Sequence, residues 1–294
     1  MSTPRFLDLP PGARRVDVAT PLGSIAALEA LPAAGGCERQ PAVLVPGFTG
    51  SKEDFIALLQ TLAQAGRRVV AIDMPGQYES RGPEDPAAYT CAALGQTIDA
   101  VVTSVADGPV HLLGHSFGGL VTRETVLAGN APLLSYTLMS SGPSAVEGSS
   151  ALDAQQLVTA LGEAPTSELL AQIWWRHMDA PARESGLPED VYTFLRERML
   201  ANSPVGLARM AAELTSAADR TAELAAVELP MLVLYGENDN VWSPQVQDTM
   251  AKRLRAERVV VPGAAHSPNV EAPETTASAL TKFFNAAEAP KRTG

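Results

Sequence analysis

The chain is short of cysteine, of aromatic residues and of long apolar runs, and each shortage closes off a class of protein. Its 294 residues include 2 cysteines, Cys37 and Cys91. They stand in unrelated contexts without CxxC or Cys/His spacing, so both are read as free thiols and no zinc site or disulfide framework is expected. No segment approaches the roughly 20 apolar residues of a membrane span, and the first ten residues lack the apolar stretch of a signal peptide. A soluble cytoplasmic protein with no membrane partner is the expectation. Basic residues are outnumbered, 22 against 33 acidic, for a formal charge of −11. That balance repels the phosphates of nucleic acid, so the expected partner is a small neutral molecule and not a polyanion. Nothing calls for a cofactor or a metal, and no sequence signal reports the oligomeric state.

What the chain does have is a globular composition, 46% hydrophobic and 19% charged, with no internal repeat or low-complexity tract. Only residues 1–14 and 289–294 look loose. Short β-rich runs, each closed by a turn and followed by helical spacing, fall at 42–45, 68–72, 110–113, 134–139, 231–235 and 258–261. An opening hairpin is read at 15–18 and 24–30, with helices at 55–65, 90–105, 118–128, 244–254 and 272–286. Between residues 143 and 227 the strand rhythm stops, and amphipathic helical patterns occupy 152–161, 167–178, 189–202 and 206–216. The expected fold class is α/β: a mostly parallel eight-stranded sheet flanked by helices, with an inserted helical cap. The core is assigned to 15–142 and 228–288, and the cap to 143–227.

The sequence Gly114-His115-Ser116-Phe117-Gly118 stands directly after a strand and directly before a helix. A serine on such a sharp turn needs neighbours without side chains, because a Cβ at either glycine would collide with the turn, and the strain lifts the serine oxygen above the sheet. Serine is a weak nucleophile at neutral pH and needs a base, which in turn needs a group to hold its tautomer. Of the 4 histidines, His111 lies inside a buried strand, His177 lies in the helical middle, and His115 flanks the serine on the wrong side of the turn and suits a supporting role. His266 remains, in the loop after the last strand, where open α/β sheets place their chemistry. The loop after the preceding strand offers Glu237 and Asp239. Asp239 is favoured as the acid, framed by Gly236 before it and Pro244 beyond it. The catalytic set is therefore Ser116, Asp239 and His266, in that order along the chain. The oxyanion formed by attack on a carbonyl needs two preset N–H donors, assigned to Phe117 and to Phe48 in the loop after the 42–45 strand.

With these residues in place the chain resembles the capped, serine-nucleophile branch of the α/β-hydrolase superfamily, from about Val16 to Phe284. The resemblance rests on Gly47-Phe48, on Asp73-Met74-Pro75-Gly76-Gln77-Tyr78-Glu79-Ser80, on the serine turn, and on the Asp239 and His266 loops. Two departures stand out: Pro46 precedes Gly47 where many members have histidine, and Tyr78 replaces a second small residue. A serine at the turn excludes the aspartate-nucleophile chemistries of dehalogenases and epoxide hydrolases. The resemblance implies hydrolysis of a carboxylic ester, lactone or thioester through an acyl-enzyme. The same triad also serves amide hydrolysis, carbon–carbon bond hydrolysis and perhydrolysis, and a receptor-like protein with little turnover is the reading from another class. Substrate contacts are expected from Trp174, Trp175, Tyr192 and Trp242, with core packing as the competing role for each cap aromatic.

Overall fold

Apolar residues on both faces of consecutive strands require cover on both sides, and the computed structural model supplies it. It describes residues 2–32, 37–105 and 108–289. The eight strands are β1 (Ala13–Thr20), β2 (Gly23–Ala30), β3 (Arg39–Val45), β4 (Arg67–Ile72), β5 (Val110–His115), β6 (Leu133–Met139), β7 (Met231–Gly236) and β8 (Glu257–Val261). They form one sheet in the order β1-β2-β4-β3-β5-β6-β7-β8. β1 and β2 make an antiparallel hairpin, β2 joins β4 antiparallel, and all later pairings are parallel.

Alternation along the strands divides the core into two layers. Val43, Val45, Leu112 and Val233 face α2 (Cys91–Val105), α3 (Phe117–Ala128) and α10 (Pro244–Leu254), whereas Ala42, Leu44, Leu113 and Leu234 face α1 (Ile56–Gln64) and α12 (Pro273–Glu288), which follows the short α11 (Pro268–Glu271). The chain turns one way from β3 to β4 and the other way from β4 to β5, which then pairs with the free side of β3. The carboxyl ends of β3 and β5 are thus the point at which the strand order reverses, the place where ligands bind in such sheets.

Between β6 and β7 run the helices α4 (Gly148–Leu161), α5 (Ser167–Ile173), α6 (Asp179–Glu184), α7 (Glu189–Ala201), α8 (Pro204–Ser216) and α9 (Thr221–Leu224). They carry an apolar cluster of their own, centred on Leu161, Leu170, Trp174, Val191, Leu195 and Leu207. The single helix expected at 167–178 divides: a π-helical turn, Trp174–Met178, separates α5 from α6. The register widens just ahead of Pro181, which has no N–H to close an α-helical bond on the His177 carbonyl.

The amino-terminal stretch expected to be loose is packed in part. Pro4 is buried, Leu7 lies against the inserted cluster and Leu9 against the α1/α12 layer, because each finds apolar surface that its exposure would waste. Met1 and residues 290–294, also expected to be loose, lie outside the described residues, as does Asp107 in the turn before β5. Among the described residues no helix is long and apolar enough to cross a membrane. Cys37 is exposed and Cys91 buried, and both are free thiols.

Candidate active site

The turn between β5 and α3 has the geometry that its two glycines permit. Ser116 sits at φ 54° and ψ −123°, a conformation that L-residues rarely adopt. A Cβ at Gly114 would lie 2.4 Å from the Gly118 carbonyl oxygen, and one at Gly118 would lie 2.3 Å from the Pro46 carbonyl oxygen. Backbone bonds hold the turn: the Ser116 N–H donates to the Met139 carbonyl and the Gly119 N–H to the Ser116 carbonyl, each at 2.9 Å.

The loops after β7 and β8 bring the other two predicted residues to this turn. His266 Nε2 is 2.9 Å from Ser116 Oγ, and His266 Nδ1 is 3.0 Å from Asp239 Oδ1. A carboxylate cannot donate, so the Nδ1–H faces Asp239 and Nε2 is left to accept the serine proton. The Asp239 side chain is fully buried, and both of its oxygens are hydrogen-bonded. Its Oδ1 also accepts the Val241 N–H at 3.0 Å, and its Oδ2 accepts from Gln247 Nε2 at 2.9 Å. Glu237, the competing acid of the same loop, is exposed and accepts from the Gly263 N–H instead.

Two supporting residues, Gln247 and Glu271, escaped the sequence reading, because neither belongs to a motif. Gln247 is buried in the first turns of α10, where helical spacing alone marks it as one polar residue among several. Glu271 brackets the histidine: one carboxylate oxygen accepts from the Ala265 N–H and the other from the Ser267 N–H, at 2.9 Å for Ser267. His115, expected to play a supporting role, donates from Nε2 to the His266 carbonyl at 2.9 Å. Burial, followed by the neighbouring His266, pushes the His115 imidazole down to about 3, so it stays neutral and keeps one tautomer.

The Phe48 and Phe117 rings meet edge to face with centroids 6.3 Å apart, which places the loop after β3 beside the serine turn. Neither the Phe48 nor the Phe117 N–H is taken up by a backbone acceptor in the loops and turns of the described residues. Behind this loop is a buried ionic network. Lys52 Nζ lies 2.7 Å from Asp73 Oδ2, 2.7 Å from Glu79 Oε2 and 3.2 Å from Glu53 Oε1. Burial pushes the Asp73 carboxyl up, Lys52 pulls it down, and Glu53 adds to the upward push. Tyr78, with φ of 41°, covers the network with its ring 4.7 Å from Lys52 Nζ, which gives the departure at this position a use.

Of the four aromatics expected to line the pocket, the structure brings Trp242 to the histidine, with ring centroids 6.2 Å apart and its Nε1–H on the Ser144 carbonyl. Trp174 and Tyr192 pack with each other inside the inserted cluster, and the Tyr192 hydroxyl is occupied by Asp179 and Arg183. Trp175 is 54% exposed. On one helical stretch the adjacent tryptophans point to different sides, so the pair cannot share one pocket. Among the described residues no group of three or more His, Cys, Asp or Glu side chains is placed to hold a metal ion.

The strained serine turn follows β5, and the buried aspartate and the histidine follow β7 and β8; the chain that carries them is similar to known proteins. The dihydrolipoyllysine-residue acetyltransferase component of the acetoin cleaving system of Pseudomonas putida is 29% identical over 260 residues, 85% of this chain and 65% of that protein. A proline iminopeptidase of Lactobacillus helveticus is 37% identical over 86 residues, 29% of each. The chain thus spans less than two thirds of the length of these relatives. Among solved structures, a thermophilic esterase from Thermogutta terrifontis superposes with a TM-score of 0.72 at 21% identity, over 94% of this chain and 100% of that one. The model of the alpha/beta hydrolase family matches residues 42–279, more than half of the sequence, and the chain belongs to that family.

Proposed function

We propose that the protein is a serine hydrolase that cleaves a carboxylic ester, lactone or thioester of a small neutral substrate through an acyl-enzyme on Ser116. The observation that carries this reading is the unbroken hydrogen-bond chain from Asp239 Oδ1 through His266 to Ser116 Oγ, at 3.0 and 2.9 Å. His266 takes the hydroxyl proton as Ser116 Oγ attacks the carbonyl carbon, and Asp239 stabilises the imidazolium that forms. The oxyanion is held by the N–H groups of Phe48 and Phe117, each donor contributing about 2.7–4 kcal/mol by the measured precedent. Collapse expels the alcohol or thiol with the proton from His266. Water then gives its proton to His266 and attacks the acyl carbon, and the acid leaves as Ser116 regains its hydrogen.

In this reading residues 143–227 act as a cap over the strand ends. Phe48 packs against both the core layer and the inserted cluster, as a residue at their meeting point would. Trp242 forms one wall beside His266. The test is labelling with a fluorophosphonate probe, expected for the wild type and lost in Ser116→Ala, with turnover of p-nitrophenyl esters of graded acyl length. Absence of labelling in folded wild-type protein would overturn the reading. Faster cleavage of p-nitroanilides than of the matching esters would move the bond from ester to amide.

A further inference from the structure

The peptide that joins Gly47 to Phe48 is held from behind by a side chain that no motif announces. Gln77 stands in the turn after β4, where its N–H donates to the Met74 carbonyl and its carbonyl accepts from the Ser80 N–H, both at 2.9 Å. The residue is 1% exposed. Its Oε1 accepts from the Met74 N–H at 3.3 Å, so Nε2 is the end that reaches away from the turn, and it donates to the Gly47 carbonyl at 2.9 Å. The Gly50 N–H takes the second acceptor position of the same carbonyl at 3.1 Å.

A planar trans peptide points its C=O and its N–H in opposite directions. No cis bond occurs among the described residues, so pinning the Gly47 oxygen toward Gln77 turns the Phe48 N–H the other way. The peptide lies against the serine turn, since a Cβ built on Gly47 would lie 2.9 Å from Ser116 Cβ. The next residue, Thr49, has φ of 56°, so the loop is held in a conformation it would not keep unaided.

We infer that Gln77 is a positioning residue for the oxyanion-binding peptide: its amide, anchored on Met74, sets the plane of the Gly47–Phe48 peptide and so aims the Phe48 N–H at the developing oxyanion. The inference rests on the serine-hydrolase reading above. Gln77 touches no reacting atom, and its effect falls on the transition state, because the Phe48 donor gains most when the carbonyl oxygen becomes charged.

The test compares wild type with Gln77→Met, similar in length without a donor, and Gln77→Glu, whose carboxylate opposes the Gly47 carbonyl and whose protonated form restores a donor. For Gln77→Met, kcat on a p-nitrophenyl ester should fall by about 10- to 100-fold, short of the 10²–10³ for deleting a donor, with KM nearly unchanged. The inhibition constant of a trifluoromethyl ketone, which forms an oxyanion on the serine, should rise by the same factor. Ester binding in a Ser116→Ala background should not change. For Gln77→Glu, kcat relative to wild type should rise about tenfold as pH falls from about 8 to about 6, since burial raises the pKa of the introduced carboxyl. A purely structural role would lower the melting temperature and weaken ester binding without this recovery. Wild-type kcat in Gln77→Met, or a flat ratio in Gln77→Glu, would overturn the inference while the hydrolase reading stands. Wild type inert to both ester and fluorophosphonate would overturn both. If Gln77→Met does not fold, Gln77→Glu alone decides.

Discussion

Replacing Gly236 with alanine should disable the site without touching any of its three central side chains. Gly236 ends β7, and the backbone leading to His266 crosses directly over it. A Cβ there would lie 2.0 Å from the Ala265 carbonyl oxygen and 2.5 Å from that of Ala264. Side-chain carbons do not approach a carbonyl oxygen closer than about 3 Å, so one backbone must retreat by about 1 Å in an interior with no slack. The two loops are stitched together at this point, the Glu237 N–H to the Val261 carbonyl at 3.0 Å and the Asn238 N–H to the Ala264 carbonyl at 2.8 Å. The retreat therefore moves His266 relative to Asp239 or to Ser116. Contacts now at 3.0 and 2.9 Å would open to about 4 Å, beyond hydrogen-bond range. A misplacement of about 1 Å costs on the order of 10²-fold in rate, or about 2.7 kcal/mol of barrier. The assay is kcat on a p-nitrophenyl ester together with the rate of fluorophosphonate labelling, with thermal melting to show that the variant is folded. Glu237→Ala is the control, since it removes an exposed carboxylate of the same loop and should leave kcat within about threefold. A folded Gly236→Ala with wild-type kcat would refute the reasoning, as would a large loss in Glu237→Ala.

Two further outcomes concern stability. Arg198 of α7 is fully buried and bonds Asp54 Oδ1 at 2.7 Å and the Ser2 carbonyl at 2.6 Å, tying the insertion to the core and to the amino-terminal segment. Arg198→Met should cost about 3–5 kcal/mol by urea unfolding, because it strands the buried Asp54 carboxyl, and adding Asp54→Asn should recover part of the loss. Equal stability of Arg198→Met and wild type would contradict this. Near the amino-terminal end of the central strand β5, His111 bonds Ser135 through Nδ1 and Glu288 through Nε2. Burial is the largest influence on its imidazole, opposed by the bond to Glu288 and aided by Arg67, and the balance lowers it from 6.5 to about 4. The unfolded chain then binds a proton that the folded one refuses. Stability is complete above about pH 6.5 and falls on acidification towards pH 4, by about 3 kcal/mol in all. Urea midpoints across that range should lose most of this slope in His111→Leu, and an unchanged slope would assign it elsewhere.

The elements of this fold that are written locally were legible as sequence. Continuous apolar runs ending at Gly or Pro mark buried parallel strands, since a strand covered on both faces has no polar side to show. The serine turn was legible from its glycines and its place between a strand and a helix; the contact that demands Gly114 is local, with the Gly118 carbonyl, whereas the one that demands Gly118 comes from Pro46, distant in the chain. His266 and Asp239 followed from their places after two successive strands. What the amino-acid order leaves open is which distant groups meet. Gln77 reaches Gly47 across 30 positions, Arg198 reaches Asp54 across 144 and His115 reaches the His266 carbonyl across 151. A glutamine, an arginine and a histidine in those places have no periodicity that names a partner. The aromatics of residues 143–227 show the same limit. The sequence left pocket lining and core packing both open for Trp174 and Tyr192, and the structure packs them on each other. Trp242, outside those helices, is the one that reaches His266. Short-range sterics and hydrophobic periodicity determine the strands, the strained serine and the order of the candidate triad. Tertiary packing alone decides the partners that hold the candidate triad and the Gly47–Phe48 peptide in place, because hydrogen bonds and ion pairs form wherever the fold brings a donor to an acceptor.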